Sequence, residues 1–170
     1  MRRTRTREPR PIADCPRTCE RRSVQQVEEG TELAPKFDAD GLIPVVTSAA
    51  RDGVVLMLGY MNREALAKTI ETGEARYYSR SRKVLWHKGA TSGLVQKVVE
   101  LRIDDDQDAI WLRVDVVGDA SCHVGYRSCF YRSVPLGDTE GPIELAFEEE
   151  AKAWGRSSAP RRNSCAQASA

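Results

Sequence analysis

The feature that most constrains this chain is a series of short β-branched and apolar runs separated by turn residues. Ile43 to Ser48 (IPVVTS) and Val54 to Tyr60 (VVLMLGY) are two such runs, and Arg51-Asp52-Gly53 between them is a hairpin signal. Ala75 to Ser79, Leu94 to Ile103 and Ala109 to Val117 are further strand-like runs, and Cys129 to Val134 is a last apolar piece before a Pro/Gly turn. Within Val98 to Ile103, alternation puts Val99, Leu101 and Ile103 on one face, with Glu100 and Arg102 on the other. One helix is embedded among them, NREALAKTIETG, with Asn62 as its cap, Glu64 in its first turn and Gly73 at its end. Leu66 and Ile70, four apart, are expected to face the sheet. The pattern predicts an α+β fold, mainly antiparallel β, with a barrel-like sheet and a capping helix.

The 170 residues suit one domain with tails to spare. Residues 1–36 mix Arg, Pro, Glu and Gln without apolar periodicity and read as a disordered lead. Residues 37–135 form the patterned body. In 136–155, Glu144 to Trp154 has the look of an amphipathic acidic helix, and 156–170 is a low-complexity tail. The next methionine after Met1 is Met57, inside the body, so part of the lead is expected to be an extended or misassigned start. No internal repeat and no glycine-rich phosphate loop is present.

Charge is unevenly spread. Met1 to Ser23 carries eight arginines against three acids, and the stretch from Arg156 carries three arginines and no acid. The chain as a whole is +1, so the middle is net −7. A basic surface on the body, as a nucleic-acid reader needs, is not indicated. No apolar run approaches the roughly 20 residues of a membrane-spanning helix, and the start lacks the apolar stretch of a secretory signal. The expected address is therefore cytoplasmic. In that reducing setting the odd count of five cysteines points to ligands, buried thiols or bystanders rather than a disulfide framework.

Three local features carry chemistry. In Ile103 to Asp108 (IDDDQD), four carboxylates in five positions repel one another unless a cation holds them. If extended, the segment projects Asp104, Asp106 and Asp108 from one face and Asp105 from the other. Three same-face oxygens suit a hard divalent ion such as magnesium, and the plain structural alternative is a solvated acidic turn. In SCHVGYRSCFYR, Cys122 with His123 and then Cys129 offer the thiolates and imidazole that zinc selects. Their spacing is not that of a zinc finger, and two buried structural cysteines would look the same. Cys15 and Cys19 sit in the lead and Cys165 in the tail, where they read as bystanders. In Ser79 to Gly93, the cations Arg80, Arg82 and Lys88 lie among the hydroxyls of Ser79, Ser81, Thr91 and Ser92, a mixture suited to phosphate or to a polar surface loop. His87 in the same stretch reads as a packed or surface histidine.

Together these segments resemble phosphoribosyl-AMP cyclohydrolase from about Phe37 to Val134. The likeness runs through LIPVV (Leu42 to Val46), VLMLGYMNREAL (Val55 to Leu66), TGEARYYSRSRKVLWHKGATSG (Thr72 to Gly93), the aspartate cluster and SCHVGYRSCFYR (Ser121 to Arg132). The resemblance implies a homodimer with active sites at the subunit interface, dependence on zinc and magnesium, and hydrolytic opening of the adenine ring of 1-(5-phosphoribosyl)-AMP. It also implies a single-activity form, because no pyrophosphohydrolase partner domain follows. Magnesium would fall to Asp104, Asp106 and Asp108, zinc to Cys122 and Cys129, proton transfer to His123, and the phosphoribosyl ends to Arg80, Arg82, Lys88, Thr91 and Ser92.

One position departs from the family, which commonly has Asp-Cys-Asp in the acidic cluster, with the cysteine as a third zinc ligand donated across the dimer. Here that position is Asp105. Either Asp105 supplies an oxygen to zinc, or the third ligand is His123 or lies elsewhere. Two rival readings carry less. A nucleobase deaminase needs a close Cys-x-x-Cys and a Glu beside the ligand His, and neither is here. A non-catalytic metal-stabilised module needs four saturated protein ligands, and no fourth is obvious.

Overall fold

The computed structural model describes residues 23–116, 121–122, 124–137 and 141–149. Two strands, β1 (Ile43–Ala49) and β2 (Val55–Met61), form the expected antiparallel hairpin, with Gly53 at φ 77° in the turn between them. Helix α2 (Arg63–Thr72) follows the shorter α1 (Val24–Glu28) of the lead. Asn62 caps α2 by accepting from the Ala65 amide at 2.8 Å, and Gly73 ends it at φ 68°, as their types predict. Strands β3 (Arg76–Ser79) and β4 (Val84–His87) make a second hairpin. Strands β5 (Gln96–Ile103) and β6 (Ile110–Val116) pair antiparallel, and β7 (Arg132–Ser133) pairs with β8 (Ala146–Phe147).

The main sheet has the order β2-β1-β6-β5 and stays open, so among the described residues there is no closed barrel. Nor is it wholly antiparallel, because β1 and β6 run parallel, with Val45 opposite Ile110 and Ala49 opposite Val114. The α+β class stands. Alternation sets which side of a strand is buried but not which strand lies beside it, and the parallel pair joins segments some sixty residues apart.

One face of the sheet carries the core. Ile43, Val45, Leu56, Met61, Ile110 and Leu112 are almost fully buried there, together with Leu66 of α2 and Tyr77 of β3. Burying each such side chain is worth about 1.5–3 kcal/mol. Ile70, expected to face the sheet with Leu66, is half exposed, and Thr69 is buried instead. The Thr69 hydroxyl accepts from the Arg76 amide at 3.0 Å, tying α2 to β3. Val99 also leaves its expected face. A bulge between Val98 and Glu100 inserts one residue, so Val98 packs on the core with Leu101 and Ile103 while Val99 is exposed.

Other expectations are corrected at the edges. The end of the lead is ordered: Ser23 and Gln26 form a capping box on α1, and buried Gln107 accepts from the Ala34 amide at 2.8 Å and donates to the Glu32 carbonyl at 3.1 Å. The described part of the expected helix from Glu144 is extended, with Ala146–Phe147 as strand β8. There Phe147 packs beside the stacked rings of Tyr126 and Tyr131, whose centroids are 3.7 Å apart. Cys129 to Val134 contributes only the two residues of β7. Residues 1–22, with Cys15 and Cys19, the end of the expected helix and the tail with Cys165 all lie outside the described residues.

Through the core runs a line of buried polar groups. The Tyr77 hydroxyl donates to Gln96 Oε1 at 2.8 Å and so accepts from Thr47 at 2.7 Å. Gln96 Nε2 in turn donates to the Ser121 hydroxyl at 2.9 Å. Burial pushes the Tyr77 hydroxyl well above the ordinary tyrosine range, so it is a neutral donor at any working pH. Replacing Gln96 by Leu strands the Ser121 hydroxyl and takes one partner from Tyr77. Urea denaturation is expected to show a loss of about 2 kcal/mol, with about 1 kcal/mol for Tyr77→Phe; unchanged midpoints would show that the line does not support the fold.

Candidate active site

Residues 104–109 form a tight loop between β5 and β6 rather than an extended segment. The Asp104 carboxylate accepts from the amides of Asp108 and Ala109, both at 2.9 Å, and Gln107 takes a left-handed φ of 63°. Folded this way, the loop gathers Asp104, Asp106 and Asp108, with one ligand oxygen from each lying within 4.8 Å of the others. Asp105 is exposed and outside this group. Two carboxylates beside Asp108, hydrogen-bonded Asp104 and then charged Asp106, raise its carboxyl above the usual range. Lys36 lies 3.6 Å from Asp106 and offsets part of the repulsion. Crowded, accessible oxygens of one sign fit a hard divalent cation.

The cysteines come together at another place. Cys122 is buried, and Cys129 lies at the surface with its thiol against that of Cys122. Burial, then the neighbouring Cys122, pushes the Cys129 thiol up to about 11. The Cys129 amide donates to the Leu56 carbonyl at 2.7 Å, and the Ser128 hydroxyl to the Val55 carbonyl at 2.7 Å, so the loop is pinned to the start of β2. Two adjoining thiols in a pinned loop fit a thiophilic metal such as zinc. His123 lies outside the described residues.

Asp105 leaves the sheet at the end where Ile103 pairs with Ile110, whereas Leu56, which holds Cys129, lies toward the other end, near Ser48 and Arg113. Among the described residues, Asp105 joins no metal-ligand group with Cys122 and Cys129 of its own chain.

The cationic stretch is divided by the β3–β4 hairpin. Arg80 and Arg82 are exposed at its tip, with Arg80 over the Tyr60 ring at 4.0 Å and Arg82 Nε donating to Ser79 at 3.3 Å. Thr91 and Ser92 are exposed beyond its other end, in a loop closed by a 2.8 Å bond from the Gly93 amide to the Gly89 carbonyl. The loop requires a glycine at 89, where φ is 88° and a Cβ would meet the Leu94 carbonyl carbon at 2.2 Å. Lys88 does not stand with the arginines. It is only 7% exposed, and its ammonium donates to the Ser121 carbonyl at 2.6 Å, beside the cysteine pair. His87 is half-buried, with Nε2 2.9 Å from Glu74 but off the hydrogen-bond line. The core line through Tyr77 and Gln96 has one sequence signal, a polar residue at an inward strand position, at Thr47 and at Gln96.

The family model for phosphoribosyl-AMP cyclohydrolase matches residues 57–131. A Rhodopseudomonas palustris protein of that name is 56% identical over 126 residues, covering 74% of this chain and 83% of its own length. The chain belongs to the phosphoribosyl-AMP cyclohydrolase family. A cyclohydrolase of Nitrobacter winogradskyi is 55% identical, with 74% of this chain and 86% of that one aligned. One of Mesorhizobium japonicum is 58% identical over 69% and 77%. All three clusters of candidate residues lie within or beside the segment that matches the cyclohydrolase family model. Among the described residues, no helix is long and apolar enough to cross a membrane.

A carboxyl held above its unfolded pKa by like charges destabilises the fold at neutral pH, and the loss is relieved as pH falls through the raised value. At pH 7 and without divalent ions, Asp108→Asn should therefore melt above the wild type. It should also show a smaller rise in melting temperature on adding magnesium. An equal magnesium response in both proteins would refute the assignment of Asp108.

Proposed function

We propose that the chain catalyses the hydrolytic opening of the adenine ring of 1-(5-phosphoribosyl)-AMP, the third step of L-histidine biosynthesis, as a zinc- and magnesium-dependent homodimer. Family membership across the folded body carries the reading, and the meeting of two thiols and of three carboxylates in pinned loops supports it.

The phosphoribosyl group on N1 makes the substrate ring cationic and C6 electrophilic. Water adds its oxygen to C6, the N1–C6 bond breaks, and its electron pair and a proton go to N1, leaving a carboxamide on the old C6. Cys122 and Cys129 would hold zinc, which would supply Lewis acidity and bring deprotonation of water into the neutral range. His123, adjacent to Cys122 in sequence, takes up a proton from the attacking water and returns one to N1, a task suited to an unperturbed pKa near 6.5. Asp104, Asp106 and Asp108 would hold magnesium, which would help to position the substrate or its phosphate. The substrate has a phosphate at each end, and the hairpin offers two places for them: Arg80 and Arg82 at its tip, Thr91 and Ser92 beyond its base.

The third zinc ligand is Asp105 of the partner subunit. A dimer supplies it because the two ends of the sheet hold Asp105 and the cysteines apart within one chain. The outer face of the sheet supports such a pairing. Leu58, Val46 and Trp111 lie in one cross-strand row, each partly or well exposed, with Arg102 over Trp111 at the end of it. A continuous exposed apolar row of this kind suits a subunit interface. Leu58→Asp is expected to shift the protein from dimer to monomer in sedimentation; a dimer of unchanged affinity would place the interface elsewhere.

The first test is the ultraviolet change on adding 1-(5-phosphoribosyl)-AMP to purified protein, metal-replete and after chelation. Ring opening that depends on metal is expected. No turnover from folded, zinc-loaded protein would favour a metal-stabilised interaction module in which the cysteines are structural. His123→Ala should keep its zinc and lose at least about a hundredfold in turnover. Asp105→Ala should lower zinc occupancy without unfolding, while Asp105→Cys should raise zinc affinity because thiolate is the softer ligand.

A further inference from the structure

Lys88 is the group that neither the fold nor the proposed reaction explains. It follows β4, is buried, and among the described residues forms no ion pair with a carboxylate. The described partners of its side chain are the Ser121 carbonyl at 2.6 Å and the Trp86 ring, 5.0 Å from the ammonium to the centroid. Burying an ammonium without a counter-charge is costly. Desolvation pulls the Lys88 ammonium below the ordinary lysine range, while the nearby sulfurs of Cys129 and Cys122 act in the opposite direction. Ser121, which receives its hydrogen bond, is the residue before Cys122 and the end of the core line through Tyr77 and Gln96. The ammonium is therefore held near the two sulfurs by an acceptor whose residue is tied to the core through Gln96.

Building on the zinc site proposed above, we propose that Lys88 is a positioning residue of that site, whose fixed charge balances the thiolates of Cys122 and Cys129 when metal is bound. The charge count supports this. Two thiolates and one carboxylate around a divalent zinc would leave one net negative charge, and the buried ammonium would bring the assembly to neutrality. The same arrangement separates Lys88 from the exposed Thr91 and Ser92, because its ammonium donates inward to the Ser121 carbonyl. It also gives zinc loading a link to the core, because the carbonyl that orients Lys88 belongs to a residue anchored by Gln96. Outer groups that orient or balance metal ligands typically change metal affinity about 10–100-fold.

The test uses the full-length protein and cobalt(II) or zinc alone. Lys88→Met removes both the charge and the hydrogen bond, and Lys88→Gln removes the charge while keeping a donor for the Ser121 carbonyl. Zinc affinity is read by competition with a chromophoric chelator, and thiolate ligation by the sulfur-to-cobalt charge-transfer band. Partial unfolding of a variant lowers the binding stoichiometry and leaves the dissociation constant of the folded fraction readable. Both variants are expected to bind zinc about 10–100-fold more weakly than the wild type and to show a displaced band. Wild-type affinity and spectrum in Lys88→Gln would overturn the proposal, because the donor alone would then suffice. If the wild type itself shows no thiolate band, the zinc reading fails and takes this inference with it; a normal wild-type band with unaffected variants sinks the Lys88 role alone.

Discussion

Much of this structure depends on one line of hydrogen bonds through its interior, from Thr47 on β1 to Tyr77 on β3, Gln96 on β5 and Ser121 in the cysteine loop. Each of these side chains is almost fully buried, so each polar group must find its partner inside the protein. The requirement fixes the distance between the main sheet and the β3–β4 hairpin. A Cβ at Gly59 would come within 2.7 Å of the Tyr77 ring, so β2 passes the ring closely enough that only hydrogen fits there. An all-apolar interface would tolerate sliding; a line of matched donors and acceptors does not.

The same line reaches the candidate site. It ends one residue before Cys122, while the other arm of the cysteine loop is pinned to β2 through Ser128 and Cys129. The loop is therefore held from two sides, with its two sulfurs meeting between them. The aspartate loop has a comparable anchor of its own. Buried Gln107 reaches back to the segment around Ala34, so its neighbours Asp106 and Asp108 are turned outward. Rigid support of this kind is what the metal sites proposed above would need, because folding would then meet the cost of bringing the ligands together.

The places where the sequence misleads have particular physical causes. Ile70 is placed wrongly by helical spacing because the buried face of α2 runs through Ala65, Leu66 and Thr69, where the Thr69 hydroxyl accepts from the Arg76 amide. Val99 obeys strict alternation until a bulge shifts the register. β4 is hidden inside a stretch whose charges suggest a loop, yet Val84, Leu85 and Trp86 pair directly with Ser79, Tyr78 and Tyr77. The segment from Glu144 has the charge of a surface helix, but Phe147 joins the rings of Tyr126 and Tyr131, and that contact favours extended backbone. In each case a tertiary contact overrides a local preference worth only a fraction of a kcal/mol per residue.

By itself the sequence determined what rests on local chemistry: the hairpin turn at Gly53, both ends of α2, the strand pair around the aspartates, and the family to which the chain belongs. It also singled out the aspartates and the Cys122 and Cys129 pair as candidate metal ligands, because clustered carboxylates and thiols suit cations. Only the tertiary structure decided that β1 lies parallel to β6, that the sheet stays open, and that Lys88 turns inward to the cysteines while Arg80 and Arg82 stay outside. These are matters of which distant segments come together. Periodicity and capping act over a few residues, whereas burial and hydrogen-bond satisfaction act across the whole core.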